Sequence, residues 1–343
     1  MLLRSCAEFT GGTVKISRLL QFLGGTAIAG ICLYIFFRGV DMQELGRELV
    51  QSSPLSLFLA GVLMAISLWL RGIRWALILP DMPGAQKKDL FSFTSIGFMA
   101  NNILPARMGE AARALFLWKK NQYPPVIAIG SLILERGFDV LVFASFFFVP
   151  VLALDNLGTL RYPAWFLVVV YSFCIACLTL YACIPKRIES GARKCLFIVP
   201  GVFRGRLAKI GTELASNLSW IFSAKKVVAM ILLSYTTIVC FAFAMMLIMG
   251  PTTGFTFLHT MLAQAFASIG AAIPLAPGYI GTLHASLYQG FLYCGLSEEK
   301  ARAAAILYHA TTYISITATG LFFFFRTDIR FKDISDAKSR LEK

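Results

Sequence analysis

The chain has 343 residues, 57% of them hydrophobic, with 32 Lys and Arg against 18 Asp and Glu and a formal net charge of +14. Soluble domains run about 45–50% apolar. Here the excess is gathered into long blocks, which excludes a water-soluble globular protein and indicates a polytopic membrane protein. In such a chain a surplus of Lys and Arg marks cytoplasmic loops rather than a nucleic-acid surface.

A full span needs about 20 apolar residues. The first is Leu19–Phe37, preceded by Arg4, Lys15 and Arg18. That start resembles a signal peptide, but the apolar run continues to span length, so it reads as an uncleaved helix. Leu55–Leu79 follows, with Arg71 and Arg74 expected to snorkel and Trp69 and Trp75 to sit at the interface. Leu90–Trp118 is apolar but broken by "NNILPARMGE", residues 101 to 110. Val126–Leu154 and Pro163–Ile184 are spans, and a basic loop, residues 185–226, separates them from the span Val227–Met249. Phe255–Cys294 is broken by "IPLAPGYIG", and Ala301–Phe325 is the last span. Irregular backbone at membrane depth is tolerated where it is buried in protein or lines a wet cavity. Both broken stretches therefore read as re-entrant helical hairpins. The predicted fold is an all-α polytopic membrane protein with six full spans and two hairpins, or eight spans if hairpins are counted. The distribution of Lys and Arg places both termini and the basic loop in the cytoplasm. Cys174 and Cys177 form a C-x-x-C inside a span without a second pair, which argues against zinc or redox chemistry.

The two broken stretches align. Pro105 and Pro277, like Gly109 and Gly281, are 172 positions apart. The same offset roughly superposes the flanking spans, giving two repeats, about 19–154 and 163–326, of opposite orientation. Paired broken helices in inverted repeats are the architecture of secondary transporters, with the site near the midplane. Pro105, Gly109, Pro274, Pro277, Gly278 and Gly281 form the hairpin tips. Helices restarting near Ala106 and Gly278 would point amide N–H groups into the protein, an arrangement that favours an anion such as phosphate.

Arg107, Glu110 and Arg113 recur every three residues after the first break, and Glu135, Arg136 and Asp139 lie inside the next span. Each charge at the bilayer centre costs about 2.5–3.5 kcal/mol, so six independent ones would cost on the order of 15–20 kcal/mol. They must pair or hydrate. One reading is a salt-bridge lock between hairpin and helix. The other is a polar cavity in which arginines grip the phosphate of a lipid head group, and the two are compatible. Asn101 and Asn102 are placed to cap the broken helix or touch ligand. His284 and His309 read first as buried, hydrogen-bonded histidines and second as a proton relay.

No P-loop, H-E-x-x-H or G-x-S-x-G pattern occurs, which favours transport over enzymology, with no cofactor or metal expected. "NNILPARMGEAARALFL", "LERGFDVLV" and "IPLAPGYIGTLHASL", in that order, resemble the lysylphosphatidylglycerol synthase transmembrane-region family. These are flippase-like integral membrane proteins related to the membrane half of the bacterial multiple peptide resistance factor. The resemblance covers nearly the whole chain. It implies movement of a lipid or lipid-linked head group between leaflets of the bacterial inner membrane. It also implies that Asn102, Pro105, Arg107, Gly109, Glu110, Arg113, Glu135, Arg136, Asp139, Pro277, Gly278 and Gly281 belong to the family's polar core. The soluble aminoacyl-transferase domain of the resistance factor is not matched, which leaves the lipid open among phospholipid, polyprenyl-linked and hopanoid types. The alternative expectation is a non-transporting accessory subunit of a membrane-bound glycosyl- or aminoacyl-transferase.

Overall fold

The computed structural model describes residues 31, 34, 36–38, 41–50, 52–104, 107–155, 157–184, 215–250, 255–273 and 277–327. Most of Leu19–Phe37, the tip prolines Pro105 and Pro274, and residues 185–214 of the basic loop lie outside them. Ten α-helices and no strand occur among the described residues. In chain order they are α1 (Met42–Val50), α2 (Pro54–Ile78), α3 (Leu90–Ile103), α4 (Met108–Asn121), α5 (Pro125–Ala153), α6 (Arg161–Cys183), α7 (Ala224–Met249), α8 (Phe257–Ala272), α9 (Thr282–Tyr293) and α10 (Glu298–Arg326). α2 starts cleanly because the Ser53 hydroxyl accepts the Ser56 N–H and Pro54 occupies a first-turn position whose N–H would be idle.

At about 1.5 Å rise per residue, helices of 23 residues or more reach across an apolar core of about 30 Å. Among the described residues, α2, α7 and the segment Gly158–Tyr181 containing α6 are both long and apolar enough to cross. α5 and α10, each 29 residues, have the length. Both carry charge: α5 holds Glu135, Arg136 and Asp139, and α10 opens on Glu298, Glu299, Lys300 and Arg302. The helices flanking the two breaks, of 14 and 14 residues and of 16 and 12, are too short to cross singly.

Each short pair folds back on itself. At the open end of the first, Asn121 Nδ2 donates to the carbonyls of Gln86 and Lys88 at 2.8 and 2.7 Å, and the Gln86 N–H returns to the Asn121 carbonyl at 3.1 Å. At the open end of the second, Cys294 Sγ lies 3.3 Å from the His259 carbonyl. α2 runs along α7, α3 packs on α10, and α8 packs on α5. Exchanging α2 for α7, α3 for α8, α4 for α9 and α5 for α10 reproduces the remaining contacts among these helices, α2 with α3, α4 with α5 and α2 with α10 included. The outside carries large exposed apolar side chains, among them Phe58, Trp69, Phe166, Phe173 and Leu232. A soluble monomer does not sustain such a belt; the chain is an integral membrane protein.

The first pair closes by direct backbone contact: a Cβ on Gly109 would run into the Gly97 carbonyl oxygen and lie 2.7 Å from Asn101 Oδ1. Gly109→Ala should therefore lower stability by about 1–3 kcal/mol, the usual range for overpacking a tight contact. Gly137 in α5 has open space around its Cα, and Gly137→Ala should be neutral or stabilising by up to about 1 kcal/mol through helix propensity. Thermal melts of the two purified variants in detergent compare them; equal melting temperatures would remove the close approach at Gly109.

Candidate functional site

Arg71 and Arg74 are three residues apart on α2, and Glu135 and Asp139 four apart on α5, so each pair shares a helix face. Asp139 accepts from three arginines. Arg74 Nη2 lies 2.7 Å from Oδ1, and Arg71 Nη1 and Arg136 Nη1 lie 2.9 and 3.2 Å from Oδ2. Glu135 is held through both oxygens by Arg113, at 2.7 and 3.3 Å, with Arg74 Nη2 3.5 Å away. The Arg113 guanidinium stacks 4.2 Å over the Trp75 ring. The Phe98 ring lies within reach of the guanidiniums of Arg71, Arg136 and Arg113, at 5.2, 5.5 and 5.9 Å. Glu135 and Arg74 are 0% exposed.

Arg71 and Arg74 thus differ from the expectation that they snorkel. The apolar run continues past them through Trp75 to Leu79, so they sit inside the helix's buried length rather than at its watery end. Of the two tryptophans expected at the interface, Trp75 is buried and Trp69 is half exposed. The charge balance changes accordingly. Arg71, Arg74, Arg107, Arg113 and Arg136 stand against Glu110, Glu135 and Asp139, so five cations meet three anions.

A cavity of about 600 Å³ opens beside this network. Arg71, Asn102, Arg107, Glu110, Arg136 and Asp139 are among its polar lining residues, and apolar side chains of α5, α6, α7 and α8 make up much of the rest. Three of its lining residues, Val140, Phe166 and Ile269, are also 65%, 67% and 51% exposed. The cavity therefore reaches the apolar outer surface between α5, α6 and α8.

Arg107 joins the two short helix pairs. Its backbone is left-handed (φ 52°), and its Nη2 donates to the Ala271 carbonyl at 2.6 Å, in the last turn of α8. A cation there meets the negative end of a helix dipole. Glu110 receives Arg136 Nη2 at 2.9 Å, with Arg107 Nη1 at 3.8 Å. Opposite, Gly278 adopts φ 63°; a Cβ would strike Tyr313 at 2.8 Å and approach the Asn102 carbonyl at 3.1 Å. Asn102 itself donates to Thr317 Oγ1 at 3.1 Å.

The helix restarts fall at Met108 and Thr282, beyond the expected positions. The Gly109 N–H is taken by Asn101 Oδ1 at 2.9 Å and that of Glu110 by the Arg107 carbonyl at 3.1 Å. The positive character of the cavity therefore comes from guanidiniums. The histidines form one directed chain. The Gly281 N–H faces His284 Nδ1 at 3.4 Å, His284 Nε2 faces His309 Nδ1 at 3.2 Å, and His309 Nε2 faces the Gly278 carbonyl at 2.8 Å. Because the carbonyl only accepts and the amide only donates, both rings are satisfied as neutral Nε2–H tautomers.

Of the sequence-predicted site residues, Asn102, Arg107, Glu110, Arg136, Asp139 and His309 line the cavity. Asn101, Arg113, Glu135 and His284 stand behind it as supports. Sequence reasoning did not place Arg71, Phe98, Tyr279 or Tyr313 there. The signal for Arg71 was the five apolar residues following Arg74. Among the described residues no three His, Cys, Asp or Glu side chains converge as a metal would require.

The model of the family described as the lysylphosphatidylglycerol synthase TM region matches residues 22–320. A UPF0104 membrane protein of Methanothermobacter thermautotrophicus is 24% identical over 334 residues, covering 88% of this chain and 93% of its own length. Glycosyltransferase AglD of Haloferax volcanii is 29% identical over 147 residues, 43% of this chain; the match spans only 24% of that glycosyltransferase. UPF0104 membrane protein MJ1595 of Methanocaldococcus jannaschii is 28% identical over 138 residues, 39% of this chain and 40% of its own.

Removing one partner of a buried ion pair strands the other. Arg113→Ala and Glu135→Ala should each cost about 3–5 kcal/mol, and the double variant less than their sum. Denaturation of the three variants in detergent measures the coupling; strict additivity would mean that the pair contributes no mutual stabilisation.

Proposed function

Because the chain belongs to the lysylphosphatidylglycerol synthase transmembrane-region family, we propose that it moves a lipid, or a lipid-linked head group, between the leaflets of a cell membrane. The observation that carries this reading is the cavity: arginines line it, and exposed apolar residues among its lining open it to the apolar outer surface. That shape suits an amphiphile whose head enters while its chain stays in hydrocarbon. In this reading the two folded-back helix pairs are re-entrant hairpins of an inverted repeat. The exchangeable packing of the halves supports that, and the site lies where the repeats meet. Both termini and the basic loop face the cytoplasm. The matched relatives are archaeal, so the bacterial inner membrane expected from the resemblance is not part of the proposal.

A second reading has one observation in its favour, the match to part of a glycosyltransferase. In it the chain is a membrane accessory of a transferase and moves nothing. An accessory has no use for an arginine-lined cavity reaching the lipid-facing surface, and for that reason we favour translocation. The arginines, carboxylates and histidines bind and position the head group, and no catalytic role is assigned to them.

The test is leaflet exchange of tail-labelled phosphatidylglycerol and phosphatidate in vesicles containing the purified protein, read by an external quencher. Exchange should depend on protein for at least one of the two. Arg107→Ala and Arg136→Ala should slow it by at least about tenfold, or 1.4 kcal/mol in the barrier, without a matching loss of melting temperature. Lysine at either position should rescue poorly, since it lacks the forked donors of guanidinium. Wild-type rates in both alanine variants would sink the reading.

A further inference from the structure

The geometry points to Tyr279 as a ligand-contacting residue of the cavity, the second half's counterpart of Arg107, whose hydroxyl donates a hydrogen bond to a phosphate oxygen of the head group. This deepens the translocation reading and rests on it for the lipid character of the ligand. Three observations carry the assignment.

The first is position. Tyr279 lies 172 residues after Arg107, the offset that also relates Pro105 to Pro277 and Gly109 to Gly281. Both Arg107 and Tyr279 line the cavity. The carbonyl of each is taken by the residue three positions on. That of Arg107 accepts the Glu110 N–H at 3.1 Å, and that of Tyr279 accepts Thr282 Oγ1 at 3.2 Å.

The second is the backbone. Among the described residues four that are not glycine have positive φ. Asp89 and Gln122 flank helix ends and do not line the cavity. The other two are Arg107, at 52°, and Tyr279, at 59°. A left-handed backbone is unfavourable for a bulky side chain and persists only where the surroundings fix it. Here they do. The turn Pro277–Tyr279 packs on α3, and His309 Nε2 lies 2.8 Å from the Gly278 carbonyl. Glycine adopts such angles freely and stands at 278 and 281, with φ of 63° and 87°. Position 279 carries a tyrosine instead. The two halves thus hold a large side chain in the same strained conformation at matching places on the cavity wall.

The third is chemistry. The Tyr279 phenol lies within electrostatic reach of Arg107, Arg136 and Glu110. Its hydroxyl makes no hydrogen bond among the described residues. Tyr308, on the same wall, already donates to Gln264 Oε1 at 2.6 Å. A phosphate oxygen held by Arg107 and Arg136 would lie in the same group of residues and could accept from Tyr279, since a hydrogen bond to a charged oxygen is among the stronger ones. The Tyr279 ring packs against apolar neighbours. Phenylalanine at this position therefore keeps the packing and removes only the donor.

Calorimetry of dihexanoyl phosphatidate binding to the purified full chain in detergent tests this on wild type and Tyr279→Phe. The variant should bind at least about tenfold more weakly, equivalent to 1.4 kcal/mol, with its melting temperature unchanged. Wild-type affinity in Tyr279→Phe overturns the assignment. A loss of affinity in proportion to a lowered melting temperature also overturns it, since the hydroxyl would then be a structural group. So does an absence of phosphatidate binding to the wild type. Inorganic phosphate should bind more weakly than phosphatidate; equal affinity overturns the assignment to a lipid. Leaflet exchange by the same proteins judges translocation separately. If the wild type exchanges no lipid while Tyr279→Phe still loses affinity, translocation falls and the Tyr279 contact stands. Exchange by a wild type whose affinity Tyr279→Phe retains is the reverse.

Discussion

The structure depends on Asp139 and on how three arginines reach it. A carboxylate 2% exposed in the middle of a 29-residue helix is tolerable only if its charge is met on both oxygens, and Arg74, Arg71 and Arg136 do that. Two of these come from α2 and one from α5 itself, so the ion cluster fixes the depth of α2 against α5. α4 joins through Arg113 and Glu135. Each charge alone would cost about 2.5–3.5 kcal/mol at bilayer centre. Together they define one geometry in which all are paired, and a sliding of any helix by one turn would unpair several. Hydrophobic packing between lipid-bathed helices supplies little such register, since lipid tails are as apolar as side chains.

The scaffold is symmetric in its packing, but its chemistry is not. α2, α5 and the first short helix pair carry the arginines and carboxylates. Their counterparts α10 and the second pair carry His284, His309, Tyr308, Thr312 and Tyr313 in the region facing the cavity. The two halves meet through Arg107, which donates to Ala271, and through Gly278, whose missing side chain lets the second tip lie against Asn102. One half thus supplies charge and the other supplies neutral hydrogen-bonding groups. The histidine chain is complete without an added proton, so the second wall does not add to the cationic excess in that state.

Much of this was legible in sequence, and the reasons are specific. Helical spacing put Glu135 with Asp139 and Arg107 with Glu110, and the cost of burying them required pairing, which the distances meet. The breaks at residues 101–110 and 273–281 were visible because proline, glycine and asparagine interrupt apolar runs. The partners of the carboxylates were harder. Arg71 and Arg74 lie 61 or more positions from Glu135 and Asp139, and local patterning has no access to which helix packs on which. Their position near the end of an apolar run also imitated an interface anchor. The role of the tip amides was misjudged for a different reason. Helix geometry says that the first amides are free, but only tertiary contact shows Asn101 already bonded to that of Gly109.

A cavity lined by arginines in an apolar protein poses a physical problem of its own. Uncompensated charge facing an apolar space would carry a desolvation cost of several kcal/mol per ion. The cavity wall cannot relieve it, since apart from its polar residues it is built from side chains such as Phe143, Phe147, Ile238 and Phe241. On the proposed reading, an entering head group would exchange for water beside the arginines rather than fill a void. On that reading, negative charge delivered to the arginines and a hydrocarbon chain covering the apolar wall would both favour the exchange. Charge and hydrocarbon would thus be matched by different residues of the same cavity. A ligand with only one of the two leaves part of the site unsatisfied.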